Sequence, residues 1–233
     1  MKYVDEYRDA KLAAGLSERI RTISKKPIRL MEICGTHTMA IFRHGIRSLL
    51  PKTVELVSGP GCPVCVTAME EIDRSVKLAQ TDGVIVTTFG DMLRVPGSFS
   101  SLQEESARGA DVRMVYSTFD ALKIAEENSE NDVVFLGVGF ETTAPTVAAA
   151  IKTAHGNGLA NFSVLSAHKL LPPAMDALLA GGELKIDGFI CPGHVTTIIG
   201  TSSYEVVAGQ YKTPCVVVGF EPLDILQGIL MLV

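Results

Sequence analysis

The chain has 233 residues, 47% hydrophobic and 20% charged, with a formal net charge of −5 at pH 7. That balance supports a buried core, excludes a disordered chain and leaves no basic stripe for nucleic acid. No apolar run reaches the ~18 to 20 residues that span a bilayer and no signal-peptide core opens the chain, so a cytoplasmic protein with no membrane and no nucleic-acid partner is expected. Five cysteines, an odd count without the spacing of a secreted scaffold, point to reduced thiols used for chemistry or packing.

In chain order, a helical segment is predicted over 7–24. Apolar runs at 28–33, 53–57, 83–87 and 112–116 read as strands, separated by amphipathic stretches at 39–50, 66–80 and 101–108. A second series follows, with strands at 133–138, 163–166, 188–190 and 216–219 and helical patterns at 146–155, 174–180 and 204–210. The alternation predicts an α/β fold of two similar open parallel-sheet, Rossmann-like domains around a cleft. The polar stretch 126–132 marks the boundary. The expected organisation is a helical segment at 1–25, a first α/β domain with the cysteine motifs at 26–128, a second at 129–220, and from 221 the start of a truncated C-terminal region. The last inference rests on 223–233, an almost wholly apolar run that reads as a surface awaiting a missing segment.

Chemistry-bearing residues collect where strands stop. Cys34-Gly35-Thr36-His37 opens a helix, so thiol and imidazole share one face and suit iron, zinc or a Cys-His nucleophile; burial as packing is the alternative. Cys62 and Cys65 form a C-x-x-C behind Gly59-Pro60-Gly61, a dithiol poised for redox exchange or metal binding. A structural zinc site would need two further ligands at similar spacing, and there is no second C-x-x-C. His194, in Pro192-Gly193-His194, occupies the equivalent place in the second half and is expected to face Cys34 across the cleft as acid, base or hydrogen-bond donor; a helix-capping histidine is the alternative. Cys191 and Cys215 read as core.

Asp91 and Arg94, in the loop 88–98, are placed to pair. Glu141 and Thr142 stand at a helix start as caps or as site-lining groups, and His168 faces the same sheet edge. His44 and His155 lie within helices and read as packed or solvated. Gly-Phe-Glu recurs at 139–141 and 219–221, a hint of repeated strand-to-helix turns. There is no G-x-x-x-x-G-K-[ST] and no G-x-G-x-x-G, so ATP and NAD are not supported.

Together, Met31-Glu32-Ile33-Cys34-Gly35-Thr36-His37-Thr38, the dithiol segment 59–67, and the segments 88–98, 137–145, 168–173 and 192–200 closely resemble the HypD family of hydrogenase-maturation proteins. The resemblance implies a scaffold on which the Fe(CN)2CO unit of [NiFe]-hydrogenase is assembled, with a HypC-type chaperone and a HypE-type cyanide donor as partners. It implies iron on Cys34, shared with a cysteine of the chaperone, and a redox-active pair Cys62/Cys65. His37 and His194 would line the cleft as catalytic groups, and Asp91, Glu141, Thr142 and His168 would line the binding site. It further implies a 4Fe-4S cluster whose ligands lie in a C-terminal region that this chain does not contain. Thr196 stands where the family motif has Ser, keeping the hydroxyl. Two other readings stay open: a stand-alone thiol-disulfide oxidoreductase with Cys34 as resolving thiol, and a structural zinc module.

Overall fold

Alternating β-branched runs and amphipathic stretches can bury both faces of a sheet only if parallel strands are joined by helical crossovers. The computed structural model, which describes all residues except Met1, Tyr3 and Glu183, has that arrangement. A 3₁₀ turn at Asp5–Arg8 and α1 (Ala10–Ile23) lead into β1 (Ile28–Glu32), α2 (Gly35–Arg43), α3 (Ile46–Leu49), β2 (Val54–Ser58) and α4 (Met69–Ala79). Then come β3 (Val84–Thr88), α5 (Leu102–Ala107), β4 (Val112–Met114), α6 (Thr118–Glu127), β5 (Asp132–Gly137), α7 (Ala144–Gly156) and β6 (Phe162–Ser166). The chain ends with α8 (Leu171–Ala180), β7 (Gly188–Pro192), α9 (Gly193–Ile199), α10 (Glu205–Gln210), β8 (Cys215–Val218) and α11 (Pro222–Leu232).

The strands form two four-stranded parallel sheets, ordered β2-β1-β7-β8 and β4-β3-β5-β6. The α/β class and the pair of similar Rossmann-like sheets are as expected from the sequence. The segmentation is not. One compact unit is split in sequence, comprising residues 1–62 and 170–233, and the other, residues 63–169, is inserted between its parts. The expected boundary at 126–132 falls between α6 and β5, inside the inserted unit. The sequence reading assumed that consecutive strands share a sheet, the commoner case. Here the chain leaves the first sheet after β2 and returns to it only at β7.

Pleating assigns each side chain of the split unit to a face. Leu30, Leu56, Ile190 and Val218 pack with Ile20, Ile41, Ile46 and Ile229 from α1, α2, α3 and α11. Met31, Ile33, Phe189 and Cys191 pack with Leu171, Met175, Val195 and Val207 from α8, α9 and α10. In the inserted unit, Val86 and Leu136 meet α4 and α5 through Ile72, Val76 and Leu102, whereas Phe135 meets α6 and α7 through Ala121 and Val147. Each sheet is thus covered on both faces. No helix among the described residues is long and apolar enough to cross a membrane.

Two local expectations are corrected. The single helix expected over 39–50 is broken at Gly45, whose φ of +61° turns the chain through the left-handed region that glycine adopts without a Cβ penalty. The apolar run 223–233 is not an uncovered surface: it forms most of α11, where Ile225, Leu226 and Ile229 are fully buried against α1 and the sheet. Its apolarity is accounted for by that burial. Ile229→Ala is expected to cost about 2–5 kcal/mol through the cavity it leaves, whereas Met231→Ala, at a side chain 65% exposed, should stay within about 0.5 kcal/mol; urea unfolding of both variants checks this.

Candidate functional site

In an open parallel sheet the crevice lies beyond the strand C-termini, where the strand order reverses and adjacent crossovers leave toward opposite faces. In the split unit the reversal is between β1 and β7, and the residues that follow these two strands are Cys34-Gly35-Thr36-His37 and Gly193-His194. Cys34 and His194 are therefore neighbours on one sheet edge. The expectation that His194 approaches from another domain is corrected by the β1–β7 pairing, Leu30 opposite Gly188 to Glu32 opposite Ile190.

Cys34 is the N-cap of α2, in extended conformation, and is 7% exposed. Its carbonyl accepts from the amides of His37 and Thr38, at 2.9 and 3.2 Å. The chain after β2 lies directly on this turn. Gly59 N donates to Glu32 O at 2.8 Å and Gly35 N to Gly61 O at 3.2 Å, and a Cβ on Gly61 would overlap the backbone of Cys34. Glycine at 61 is thus required by close approach, and Cys62 follows it immediately.

His37 is fully buried. Its Nε2 lies 2.9 Å from the carbonyl of Gly219, which can only accept, so Nε2 carries the proton and Nδ1 holds a lone pair. Nδ1 is buried with no hydrogen-bond partner among the described residues. Burial pushes the His37 pKa down, with the nearby His194 acting in the same direction against the Gly219 bond. Phe220, in the second Gly-Phe-Glu, stands between the imidazoles, its ring 4.7 Å from His37 and 5.1 Å from His194. His194 is exposed, and its pKa too is lowered by burial of part of the ring.

The sequence reading assigned no role to Glu32, the last residue of β1. It is 1% exposed, accepts from Thr38 Oγ1 at 2.6 Å and from Cys34 N at 3.4 Å, and so ties both ends of the Cys34 turn to the strand. Burial pushes its carboxyl pKa up, opposed by hydrogen bonds from Ser58 and Thr38 and by the charge of Arg47. A charged residue on the inward face of a strand was the available signal, since such groups are rarely buried without a task.

In the inserted unit the strand order reverses between β3 and β5. Asp91 follows β3, in a 3₁₀ turn, and Glu141 and Thr142 follow β5. Cys65, Thr67, Ile72, Asp91, Arg94 and Val95 are among the residues around a concavity of about 410 Å³, so Cys65 and Asp91 line the same recess. Asp91 and Arg94 share this wall, but no ion pair joins them among the described residues. The loop is held instead by Asp73, which accepts from Ser98 N at 2.7 Å and Ser98 Oγ at 2.6 Å. Glu141 is buried and Thr142 half-buried. His168, after β6, has Nδ1 at 3.0 Å from Ser166 Oγ, while its buried Nε2 has no hydrogen-bond partner among the described residues. Cys62 and Cys65 fall on either side of the division of the chain into units, Cys62 half-buried and Cys65 exposed.

Over residues 11–233 the sequence matches the family model described as HypD, "Hydrogenase formation hypA family". The chain belongs to the HypD family. It is 50% identical over 242 residues to hydrogenase maturation factor HypD2 of Bradyrhizobium diazoefficiens, covering 100% of this chain and 64% of that protein. Identity is 53% over 241 residues to hydrogenase maturation factor HypD of Azotobacter vinelandii and 48% over 240 residues to that of Escherichia coli strain K12, again with 100% of this chain and 64% of the relative covered. The chain thus spans 64% of the length of these relatives.

A 4Fe-4S cluster takes four thiolates. Among the described residues no group of three or more His, Cys, Asp or Glu could hold a metal ion, so the residues of this HypD-family chain do not fit a cluster.

Glu32→Ala leaves the Thr38 hydroxyl and Cys34 amide without their acceptor and is expected to cost about 1–3 kcal/mol, whereas Glu32→Gln keeps an acceptor and should cost less; denaturant unfolding ranks them. His37, His168 and His194 all have pKa values lowered by burial, so the unfolded chain binds more protons below its histidine pKa of ~6.5. Stability is therefore full above that pH and falls as pH drops toward the folded-state values. Unfolding midpoints at pH 7.5 and 5.5 should differ in that direction, and by less in His37→Gln.

Proposed function

We propose that this HypD-family chain acts in [NiFe]-hydrogenase maturation as the cytoplasmic scaffold on which an iron carrying cyanide and carbon monoxide is held during assembly. The observation that carries the reading is the Cys34 turn: a buried thiol at the β1/β7 crevice, fixed by Glu32 and Gly61 and followed one helical turn later by an imidazole with an open lone pair. Low-spin iron(II) bearing such diatomic ligands is soft and favours thiolate. Iron is the cargo here, Cys34 its anchor on this chain, and a site with few protein ligands leaves positions for the diatomics and for a thiolate from a partner.

The roles of the other residues follow from their chemistry. His37, kept neutral by burial, offers Nδ1 as an acceptor to a protonated group at the anchor, and His194 offers a more exposed imidazole on the same edge. Cys62 and Cys65 can close to a disulfide, releasing two electrons and two protons to an intermediate. Asp91, which lines one recess with Cys65, and Glu141, Thr142 and His168 beyond β5 and β6, are the polar groups we assign to binding at the second crevice. A HypC-type chaperone would cap the anchor. On α2, next to Cys34, Met39 and Phe42 are 59% and 82% exposed, an apolar face suited to a protein partner. A HypE-type protein would deliver cyanide.

The test is infrared spectroscopy of the chain co-purified anaerobically with both partners. Bands of metal-bound cyanide and carbon monoxide are expected and should vanish in Cys34→Ala; bands that persist in that variant would falsify the anchor. Turnover of small disulfides by the isolated chain, without iron or partner, would instead favour a stand-alone thiol-disulfide oxidoreductase. Phe42→Asp is expected to weaken capture of the chaperone about tenfold or more in a titration, with the fold intact by circular dichroism.

A further inference from the structure

The proposed function uses three of the five cysteines. The other two, Cys191 and Cys215, are far apart in sequence but sit on the neighbouring strands β7 and β8. In the register Phe189 is opposite Cys215 and Cys191 is opposite Val217, so the two thiols are diagonal neighbours. The pleat places residues 189, 191 and 215 on one face of the sheet. Both thiols belong to the apolar cluster beneath α8 and α10, Cys191 fully buried and Cys215 half-buried at the start of the strand.

Both side chains belong to one cluster, and the Cys215 thiol donates to the carbonyl of Thr213 at 3.7 Å. Each thiol acts on the ionisation of the other. The neighbouring Cys215 and burial push Cys191 well above the ordinary thiol range. Cys215, half-buried at the start of the strand, is the sulfur an oxidant can reach, and the sealed Cys191 is placed to resolve, the division of labour between an attacking and a resolving thiol.

The sheet can accommodate closure. Among the described residues β8 is an edge strand, paired only with β7. Its approach runs through Lys212, at φ +56°, and Tyr211, whose hydroxyl donates to Asp176 Oδ1 at 2.7 Å. Diagonal neighbours must draw together to form a disulfide, and a strand fixed along one edge shifts more readily than a central one.

We propose that Cys191 and Cys215 form a second oxidisable dithiol, distinct from Cys62/Cys65, that is closed to a disulfide by a small disulfide of the glutathione class. The Cys215 thiolate attacks one sulfur of the oxidant, forming a mixed disulfide and releasing one thiol. Cys191 then gives up its proton and attacks the Cys215 sulfur, displacing the second thiol. Two protein thiols are oxidised, and one small disulfide is reduced to two thiols.

The chain itself supplies the assay. Lys212 separates the two cysteines, so trypsin releases them in peptides 186–212 and 213–233, each with one cysteine and neither carrying Cys34, Cys62 or Cys65. After anaerobic treatment with oxidised glutathione, acid quench and alkylation, mass spectrometry should find these two peptides joined. In Cys191→Ala the glutathione should remain on Cys215 as a stable mixed disulfide. In Cys215→Ala, Cys191 should react at least about tenfold more slowly than Cys215 does in the parent chain, as a buried thiol without an activated neighbour. The proposal fails if the parent chain shows both peptides unlinked after Cys62 and Cys65 are fully oxidised, or if Cys215 carries a persistent mixed disulfide while Cys191 stays reduced. The joined peptide is read in the unmutated protein, so a variant that folds poorly does not decide the outcome. Loss of infrared bands in Cys34→Ala is a separate readout that bears only on the scaffold reading.

Discussion

The reversal of strand order in each sheet is the constraint from which the rest of the molecule follows. Right-handed crossovers from β1 to β2 and from β7 to β8 must leave the sheet on opposite faces, which parts the loops beyond β1 and β7. Whatever residues follow those two strands therefore border a crevice, and here they are Cys34, His37 and His194. The same reversal between β3 and β5 sets Asp91, Glu141 and Thr142 along the edge of the inserted sheet. Placing reactive groups there costs the core nothing, because the apolar alternation along each strand ends before the loop begins.

Holding a thiol in such a crevice is a separate demand, and the split unit meets it with polar groups rather than apolar packing. Glu32 is almost fully buried at the end of a strand, a position that penalises a carboxylate unless its oxygens are hydrogen-bonded. Donation from the Thr38 hydroxyl and the Cys34 amide offsets that penalty and converts it into geometry, since these donors come from the cysteine itself and from the first turn of the helix it caps. The glycines at 59 and 61 complete the clamp from the other side by letting backbone lie on backbone. The tautomer of His37 is fixed by the same economy of means, one carbonyl at Gly219 deciding which nitrogen remains open.

Much of this was legible in the sequence because strand ends are. The eight apolar runs match β1 to β8 within a few residues, since β-branched runs bounded by glycine, proline and polar turns have few other fates. The candidate residues, picked for following those runs, inherit the right sheet edge. Which strand lies beside which was not legible, because hydropathy reports that a strand is buried and not against what. The expectation of two sequential domains failed there, and with it the idea that His194 comes from a different sheet than Cys34. The closing apolar helix was misjudged for a related reason: Leu226 and Ile229 look uncovered until α1, about 200 residues earlier in the chain, is known to lie against them. Glu32 escaped because one carboxylate at the end of a strand carries no motif.

The cysteines illustrate the difference between pairing set by spacing and pairing set by topology. Cys62 and Cys65 are near each other in any conformation of the chain, because only two residues separate them, and their motif could be read directly. Cys191 and Cys215 meet only when β7 and β8 align in their native register; shifting β8 by one residue would turn Cys215 to the opposite face and abolish the contact. Taken alone, each is a small hydrophobe, the ordinary role of an isolated buried thiol. Once the strands pair, the environment of the two sulfurs is no longer symmetric: one is sealed beneath α8 and α10, and the other lies at the open edge of the sheet. That asymmetry, rather than the mere presence of sulfur, is what gives a pair of core cysteines an order of reaction.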